Sequence, residues 1–323
     1  MHDLAYILAA SHSGSTLLAM LAGSHPRAFT AGELKATNLG DPDQYRCSCG
    51  VWIRECRFWS SVQEGMARRG IEFDITDAKT DFRNVGQWYV DWLLTPLVRG
   101  RVWECMRDVA LTASPVWRER LREIQRRNVA LVDTIRELAG AHVVVDSSKV
   151  GLRLKYLLRN PCFRIRVIHL IRDGRGVALS HMDPARFADA KDPSSRGGGT
   201  GSSRDSERLS MAAAAREWVR SNEEAEALLE GLDRSQWTQV RYEDLCRDPR
   251  AVMDRLFGFL GLETWNAVNG FRRADLHVLG NGMRFDRTTE VCLDERWREV
   301  LTDRELEEFD TVAGSMNRRY GYR

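Results

Sequence analysis

The 323-residue sequence predicts an α/β protein, a mostly parallel central sheet with helices on both faces. Short runs rich in β-branched residues alternate with longer stretches of helical periodicity, and the apolar runs end in polar residues of the kind that serve a site. Segments with chemical character begin near residue 11 and recur past residue 280, so they have to share one unit spanning residues 1–323.

Tyr6 to Ala10 reads as the first strand, Ser11-His12-Ser13-Gly14-Ser15 as a small-residue turn, and Thr16 to Leu21 as a helix that stops at Gly23. Residues 51–140 read as a mainly helical insertion. Val116 to Leu138 carries apolar residues at 117, 121, 124, 131, 135 and 138, a helical spacing interrupted at polar Asn128. The tryptophans at 52, 59, 88, 92, 103 and 117 read first as core and helix packing, second as an aromatic groove. Val143 to Val145 and Ile165 to Ile171 are the next strands and Thr238 to Arg241 a fourth. Residues 193–206, PSSRGGGTGSSRDS, have too little apolar surface to order themselves and read as a mobile loop, placed to cover an acceptor. The helix that follows, from about Glu207 to Leu229, puts Trp218, Ala225 and Leu229 on one packing face.

Forty-eight basic against 46 acidic residues give a formal charge of +2, too even for a broad nucleic-acid or membrane-binding surface. An anionic ligand would need a local basic site. No stretch approaches the ~20 apolar residues of a membrane span, and the N-terminus lacks a basic region and a cleavage signal, which predicts a cytoplasmic protein. Seven cysteines argue against a disulfide framework. Cys47, Cys49 and Cys56, spaced C-x-C-x6-C, are either buried or loop thiols or metal ligands awaiting a fourth partner from elsewhere.

A strand feeding a small-residue turn and then a helix presents backbone N–H groups and the positive end of a helix dipole to an anion. Ser13, Ser15 and Thr16 add hydroxyl donors, and Gly14 permits close approach. The turn lacks the lysine of a Walker A loop, which disfavours ATP with magnesium. After the strand ending at Ile171, Arg172 and, two helical turns on, Ser180 could bind a second phosphate. Two anion sites at strand ends suit a nucleotide phosphorylated at two places.

These residues resemble the sulfotransferases that use 3′-phosphoadenosine 5′-phosphosulfate (PAPS). SHSGSTLL is similar to their 5′-phosphosulfate loop and VIHLIRDGRGVALS to their 3′-phosphate segment. VRYEDLCRDP (240–249) and HVLGNGMRF (277–285) resemble bacterial members related to the tyrosylprotein and carbohydrate branches. The resemblance implies a P-loop-like three-layer fold, and PAPS as co-substrate with no metal required. It implies that Ser11 to Leu17 cradle the phosphosulfate and that Arg172 and Ser180 hold the 3′-phosphate. Tyr242 and Gly280, Asn281, Gly282, Met283 and Arg284 would complete the nucleotide pocket. The acceptor would be a hydroxyl or amine of a small molecule, lipid or glycan.

By the same resemblance Glu33, after Gly32, is the expected general base, and Lys149 the second catalytic candidate, in contact with the transferring group or the acceptor. His12 stands where many members carry Arg or Lys, so its contribution would depend on protonation of the imidazole. His181 is a further acceptor-site candidate, and His169, inside a strand, reads as a core residue. Two alternatives stay open. Val143 to Asp146 also imitates the magnesium-binding strand of a P-loop kinase, and a non-catalytic nucleotide- or glycan-binding module would keep both phosphate sites.

Overall fold

A sheet covered on both faces needs strands that are apolar on both sides. Five segments build the sheet, β1 (His2–Ala9), β2 (Ala28–Gly32), β3 (Val143–Lys149), β4 (Phe163–Ile171) and β5 (Trp237–Arg241), and the first four are largely buried while the edge strand β5 buries only Val240. A computed structural model describes residues 1–323 apart from 36–38, 40, 84, 96–100, 191, 201–203, 269, 273, 274 and 287–289. It pairs the five strands, all parallel, in the order β2-β3-β1-β4-β5. Every residue from Leu4 to Ala9 is buried. β2 is an addition to the four strands the sequence predicts. Its AFTAG has little strand propensity of its own, and it is ordered by register with β3, Phe29 opposite Val144 and Thr30 opposite Val145.

The helices are α1 (Ser15–Gly23), α2 (Arg57–Arg68), α3 (Trp88–Leu94), α4 (Arg101–Ala113), α5 (Pro115–Ala139), α6 (Gly151–Leu158) and α7 (Gly174–Met182). They continue with α8 (Pro184–Phe187), α9 (Met211–Leu229), α10 (Tyr242–Arg247), α11 (Pro249–Phe259), α12 (Trp297–Val300) and α13 (Asp303–Arg319). Helix α1 packs on β2 and β3, α5 on β1 and β3, and α6 and α9 on β1. α9 starts four residues later than predicted, because a short 3-10 turn, Asp205–Glu207, precedes it and Ser210 caps it by accepting from Ala213 N. No helix among the described residues is long and apolar enough to cross a membrane.

Helix α5 explains its own polar interruption. Asn128 is 1 % exposed, donates to Thr80 O at 2.9 Å and accepts from Arg153 Nη2 at 2.7 Å. Arg153 in turn pairs with Asp146 Oδ2 at 3.0 Å, both side chains buried. A buried polar group is tolerated only when its partners are supplied, and here α5, α6, β3 and the backbone of Thr80 supply them.

One expectation needs revising. Of the helical-region tryptophans, Trp59 and Trp117 are core, but Trp88, Trp92 and Trp103 on α3 and α4 are 80 %, 59 % and 60 % exposed. Helical spacing shows which side chains share a face, not whether another element covers it. The described residues of the loop 193–206 take two 3-10 turns, Pro193–Gly198 and Asp205–Glu207, and are tied by polar contacts: Arg46 N donates to Gly198 O at 2.9 Å and Gly197 N to Asp189 Oδ2 at 2.8 Å. Residues 201–203 of that loop lie outside the described residues.

Candidate active site

Parallel pairing puts the C-terminal ends of all five strands at one edge of the sheet, where α/β folds bind ligands. Each end delivers a residue singled out from sequence. β1 runs into the turn Ser11 to Thr16, β2 into Glu33, β4 into Arg172 and β5 into Tyr242, while β3 ends on Lys149. Apart from Ser13, these residues line one cavity of about 920 Å³, together with Leu17, Ser180, His181, Arg204 and Gly280, Asn281, Gly282 and Met283. Seven basic and seven acidic described side chains line it. Anion preference must therefore come from where individual cations sit rather than from total charge.

Gly14 is the N-cap of α1, with φ 89°. A Cβ there would lie 2.5 Å from the Tyr242 ring, so glycine is needed for both conformation and contact. The Arg172 guanidinium sits 4.6 Å from the centroid of the same ring and donates to His12 O at 2.8 Å. It also pairs with Asp294 Oδ2 at 3.0 Å, a carboxylate no sequence signal marked. Burial would raise Asp294, but Arg296 and Arg172 outweigh it and hold the carboxyl at about 2. Ser180, 1 % exposed, donates its hydroxyl to Gly176 O at 3.0 Å, one turn back along α7.

Glu33 and Lys149, far apart in sequence, make a direct hydrogen bond, Lys149 Nζ donating to Glu33 Oε1, and Lys35 Nζ lies 3.4 Å from Glu33 Oε2. Burial pushes the Glu33 carboxyl up, yet Lys149 and Lys35 together hold it below its ordinary value. Gly32 places it: with φ 82°, it brings the chain so close to Leu279 that a Cβ would lie 2.0 Å from Leu279 O. Leu279 N donates to Ala31 O at 2.9 Å, which joins the Gly280 loop to the end of β2.

Four described non-glycine residues have positive φ: His12, Lys79, Lys149 and Arg204. Three of these line the cavity. Such conformations are held only where surrounding structure enforces them, and they gather at functional sites. The His12 and His181 rings meet edge to face at 4.5 Å. Burial, with His181, Arg204, Lys149 and Arg172 nearby, holds the His12 imidazole well below the usual histidine range. The direction of that shift disfavours a further positive charge at the position where the resemblance implies a cation.

Ser13 and Arg284 are not among the lining residues. Ser13 is 1 % exposed, and its hydroxyl has no hydrogen-bond partner among the described residues. Arg284 is spent on backbone, donating to Gly280 O, to Arg46 O at 2.7 Å and to Gly198 O at 3.2 Å, so it frames the loop instead of facing the cavity. His169 is a core residue, and burial lowers its imidazole to about 4. Asp146 resembles a magnesium ligand only in sequence. Its Oδ2 is held by Arg153, and its Oδ1 accepts from Ser148 N at 2.9 Å, Ser148 Oγ at 2.5 Å and Leu34 N at 3.3 Å.

A family model described as the sulfotransferase family matches residues 97–267. The chain is similar to carbohydrate sulfotransferase 5 of Mus musculus, 29 % identical over 192 residues that cover 57 % of this chain and 48 % of that protein. Carbohydrate sulfotransferase 6 of Homo sapiens is 28 % identical over 192 residues, with the same shares of 57 % and 48 %. The chain thus spans about half the length of the curated relatives it matches. Among solved structures, the sulfotransferase domain from the Synechococcus PCC 7002 olefin synthase superposes with a TM-score of 0.50 at 18 % identity, over 96 % of this chain and 94 % of that one. At that identity the likeness concerns the fold alone.

Proposed function

This chain belongs to the sulfotransferase family, and we propose that it transfers a sulfuryl group from PAPS to a hydroxyl or amine of a small-molecule, lipid or glycan acceptor. One observation carries the reading. The small-residue turn before α1, the Arg172 guanidinium and the Glu33–Lys149 pair all face the same cavity. A nucleotide phosphorylated at both ends and an acceptor needing a base would find their partners within one space.

In this reading the backbone N–H groups at the start of α1 and the Ser15 and Thr16 hydroxyls hold the 5′-phosphosulfate. The unpartnered Ser13 hydroxyl is a further donor. Arg172 turns from Asp294 to the 3′-phosphate, exchanging one anion for another, and Tyr242 keeps its guanidinium in plane. Glu33 takes the proton from the acceptor as its oxygen or nitrogen bonds to sulfur. The bond between sulfur and the bridging phosphate oxygen breaks, and adenosine 3′,5′-bisphosphate leaves with the electron pair.

The ion pair between Glu33 and Lys149 has a part in this. Held by two lysines, Glu33 is ionised but a weak base. When Lys149 swings onto a sulfuryl oxygen, the carboxylate loses a stabilising neighbour and its proton affinity rises as the transfer begins. Beyond the sequence candidates, Lys35, Arg186, Arg204, Arg272 and Arg296 line the same cavity. Asp146, with both oxygens committed to protein donors, weighs against the magnesium-kinase reading.

The names of the relatives make a carbohydrate hydroxyl the first acceptor to try. Radiolabelled PAPS incubated with the protein and a panel of glycans, lipids and small hydroxy compounds should yield a labelled acceptor, and adenosine 3′,5′-bisphosphate should bind more tightly than ATP with magnesium. Absence of any labelled product, with tighter binding of magnesium ATP, would overturn the proposal.

A further inference from the structure

Away from the cavity, three cysteines and a histidine converge. Arg46 and Trp52 form an isolated antiparallel bridge, and between them Cys47 N donates to Val51 O at 2.9 Å while Gly50 N donates to Cys47 O at 2.8 Å. This tight turn, with Gly50 at φ 94°, presents Cys47 and Cys49 on a short knuckle. The 3-10 turn Ile53–Glu55 then delivers Cys56, and the distant segment before Val278 contributes His277. All four ligand atoms lie within 4.8 Å of one another.

The separations have a chemical meaning. Cys47 Sγ to Cys56 Sγ is 3.6 Å and Cys49 Sγ to Cys56 Sγ 3.8 Å, far beyond a disulfide bond of about 2.05 Å. His277 Nδ1 is 3.5 Å from Cys47 Sγ and 3.3 Å from Cys56 Sγ. A tetrahedron with Zn–S of about 2.3 Å and Zn–N of about 2.05 Å has edges of about 3.8 Å between sulfurs and about 3.6 Å from sulfur to nitrogen. Four of the six edges are given by these distances, each within about 0.3 Å of its ideal length, and all four atoms lie within 4.8 Å of one another.

The surroundings fit as well. His277 Nε2 lies 3.3 Å from Asp275 Oδ1, the carboxylate–imidazole pairing that leaves the other ring nitrogen free to ligate. The Phe58 ring stacks flat on the imidazole, centroids 4.5 Å apart and planes 1° apart, fixing its orientation. Cys47 and Cys56 are buried, whereas Cys49 is exposed and gives an ion a way in.

We propose that Cys47, Cys49, Cys56 and His277 form a structural zinc site. Three sulfurs and one imidazole in closed tetrahedral array select zinc and leave no coordination position for substrate. None of the four lines the cavity, so the site's effect on it is architectural. Cys47 is two residues beyond Tyr45, whose hydroxyl accepts from Gly280 N at 2.9 Å, and His277 is two residues before Leu279, which bridges to Gly32. Ser48 reinforces the junction, donating to Leu276 O at 2.6 Å and accepting from Val278 N at 2.8 Å. Zinc there would staple the knuckle to the strand end that positions Glu33.

Elemental analysis of the protein, purified under reducing conditions without chelator, should find about one zinc per chain. Replacement by cobalt should produce the thiolate-to-metal charge-transfer and intense visible bands of a tetrahedral sulfur-ligated ion. Cys56→Ser and His277→Ala should lose the metal, and Cys105→Ser should keep it. Because the first two variants could fold poorly, the wild-type cobalt spectrum and a zinc-release titration with a thiol-blocking mercurial stand as independent measurements. The proposal is overturned if the reduced wild-type protein contains no zinc and takes up neither zinc nor cobalt. It is equally overturned if the metal content survives Cys56→Ser and His277→Ala, or if the native protein carries a Cys49–Cys56 disulfide.

Discussion

Replacing Glu33 by Gln separates its chemical role from its structural one. The substitution keeps shape and one acceptor oxygen for Lys149 but removes the charge. If Glu33 is the base, turnover falls by about 10²- to 10⁴-fold, because the acceptor proton has no positioned destination. The ion pair sets a second magnitude. Lys149 and Lys35 are only 15 % and 16 % exposed and share this carboxylate, so leaving them without it costs about 1.5 to 3 kcal/mol of stability, nearer the lower figure because glutamine still accepts. Single-turnover transfer from radiolabelled PAPS, urea unfolding and calorimetry with adenosine 3′,5′-bisphosphate read the effects separately. The expected result is a large loss of rate, a modest loss of stability and unchanged nucleotide affinity. Retention of more than about a tenth of the rate, or a loss of nucleotide affinity that accounts for the lost turnover, refutes the base assignment. Lys149→Met adds a check of sign. Because Lys149 lowers the Glu33 carboxyl, its removal should move the acid limb of kcat/KM to higher pH, whatever it does to the maximum.

Arg172→Ala should weaken adenosine 3′,5′-bisphosphate binding by about 2 to 3 kcal/mol and weaken a nucleotide lacking the 3′-phosphate much less; equal losses by calorimetry would remove Arg172 from the 3′ site. Asp294→Asn should tighten the same bisphosphate, since the carboxylate competes with phosphate for Arg172, and weaker binding would show instead that Asp294 orients the guanidinium. Gly32→Ala forces a Cβ to within 2.0 Å of Leu279 O at a positive φ, and should lower the unfolding free energy by at least about 2 kcal/mol; an unchanged urea midpoint would refute that close approach. His169 has a folded value of about 4 against 6.5 for an ordinary histidine. Between those values the unfolded chain binds the extra proton, so stability should rise with pH across that window, and His169→Asn should flatten the rise in denaturant titrations.

The fold class and many of the residues that line the candidate cavity were legible because they rest on local patterns. Val143 to Val145 and Ile165 to Ile171 announce buried strands by β-branched runs, and Ser11 to Thr16 announces an anion turn by small residues between a strand and a helix. β2 was not legible. AFTAG becomes a strand only because β3 offers it a register, and Glu33 owes its position to that pairing and to Leu279, 246 residues away along the chain.

What the sequence by itself determined, then, is the set of local conformers: which runs extend, where glycine lets the backbone turn, which polar residues follow each strand. Only tertiary structure decided which of those residues meet. Strand order brings Lys149 onto Glu33, sets Asp294 against Arg172, commits Asp146 to Arg153, and carries His277 to three cysteines more than 220 residues upstream. It also lowers the His12 imidazole, since burial, with Arg204, Lys149 and Arg172 nearby, disfavours a further positive charge. The physical reason is the same in each case. Periodicity and turn chemistry act over a few residues, whereas ion pairing, desolvation and metal-ligand geometry depend on distances in space that no spacing along the chain encodes.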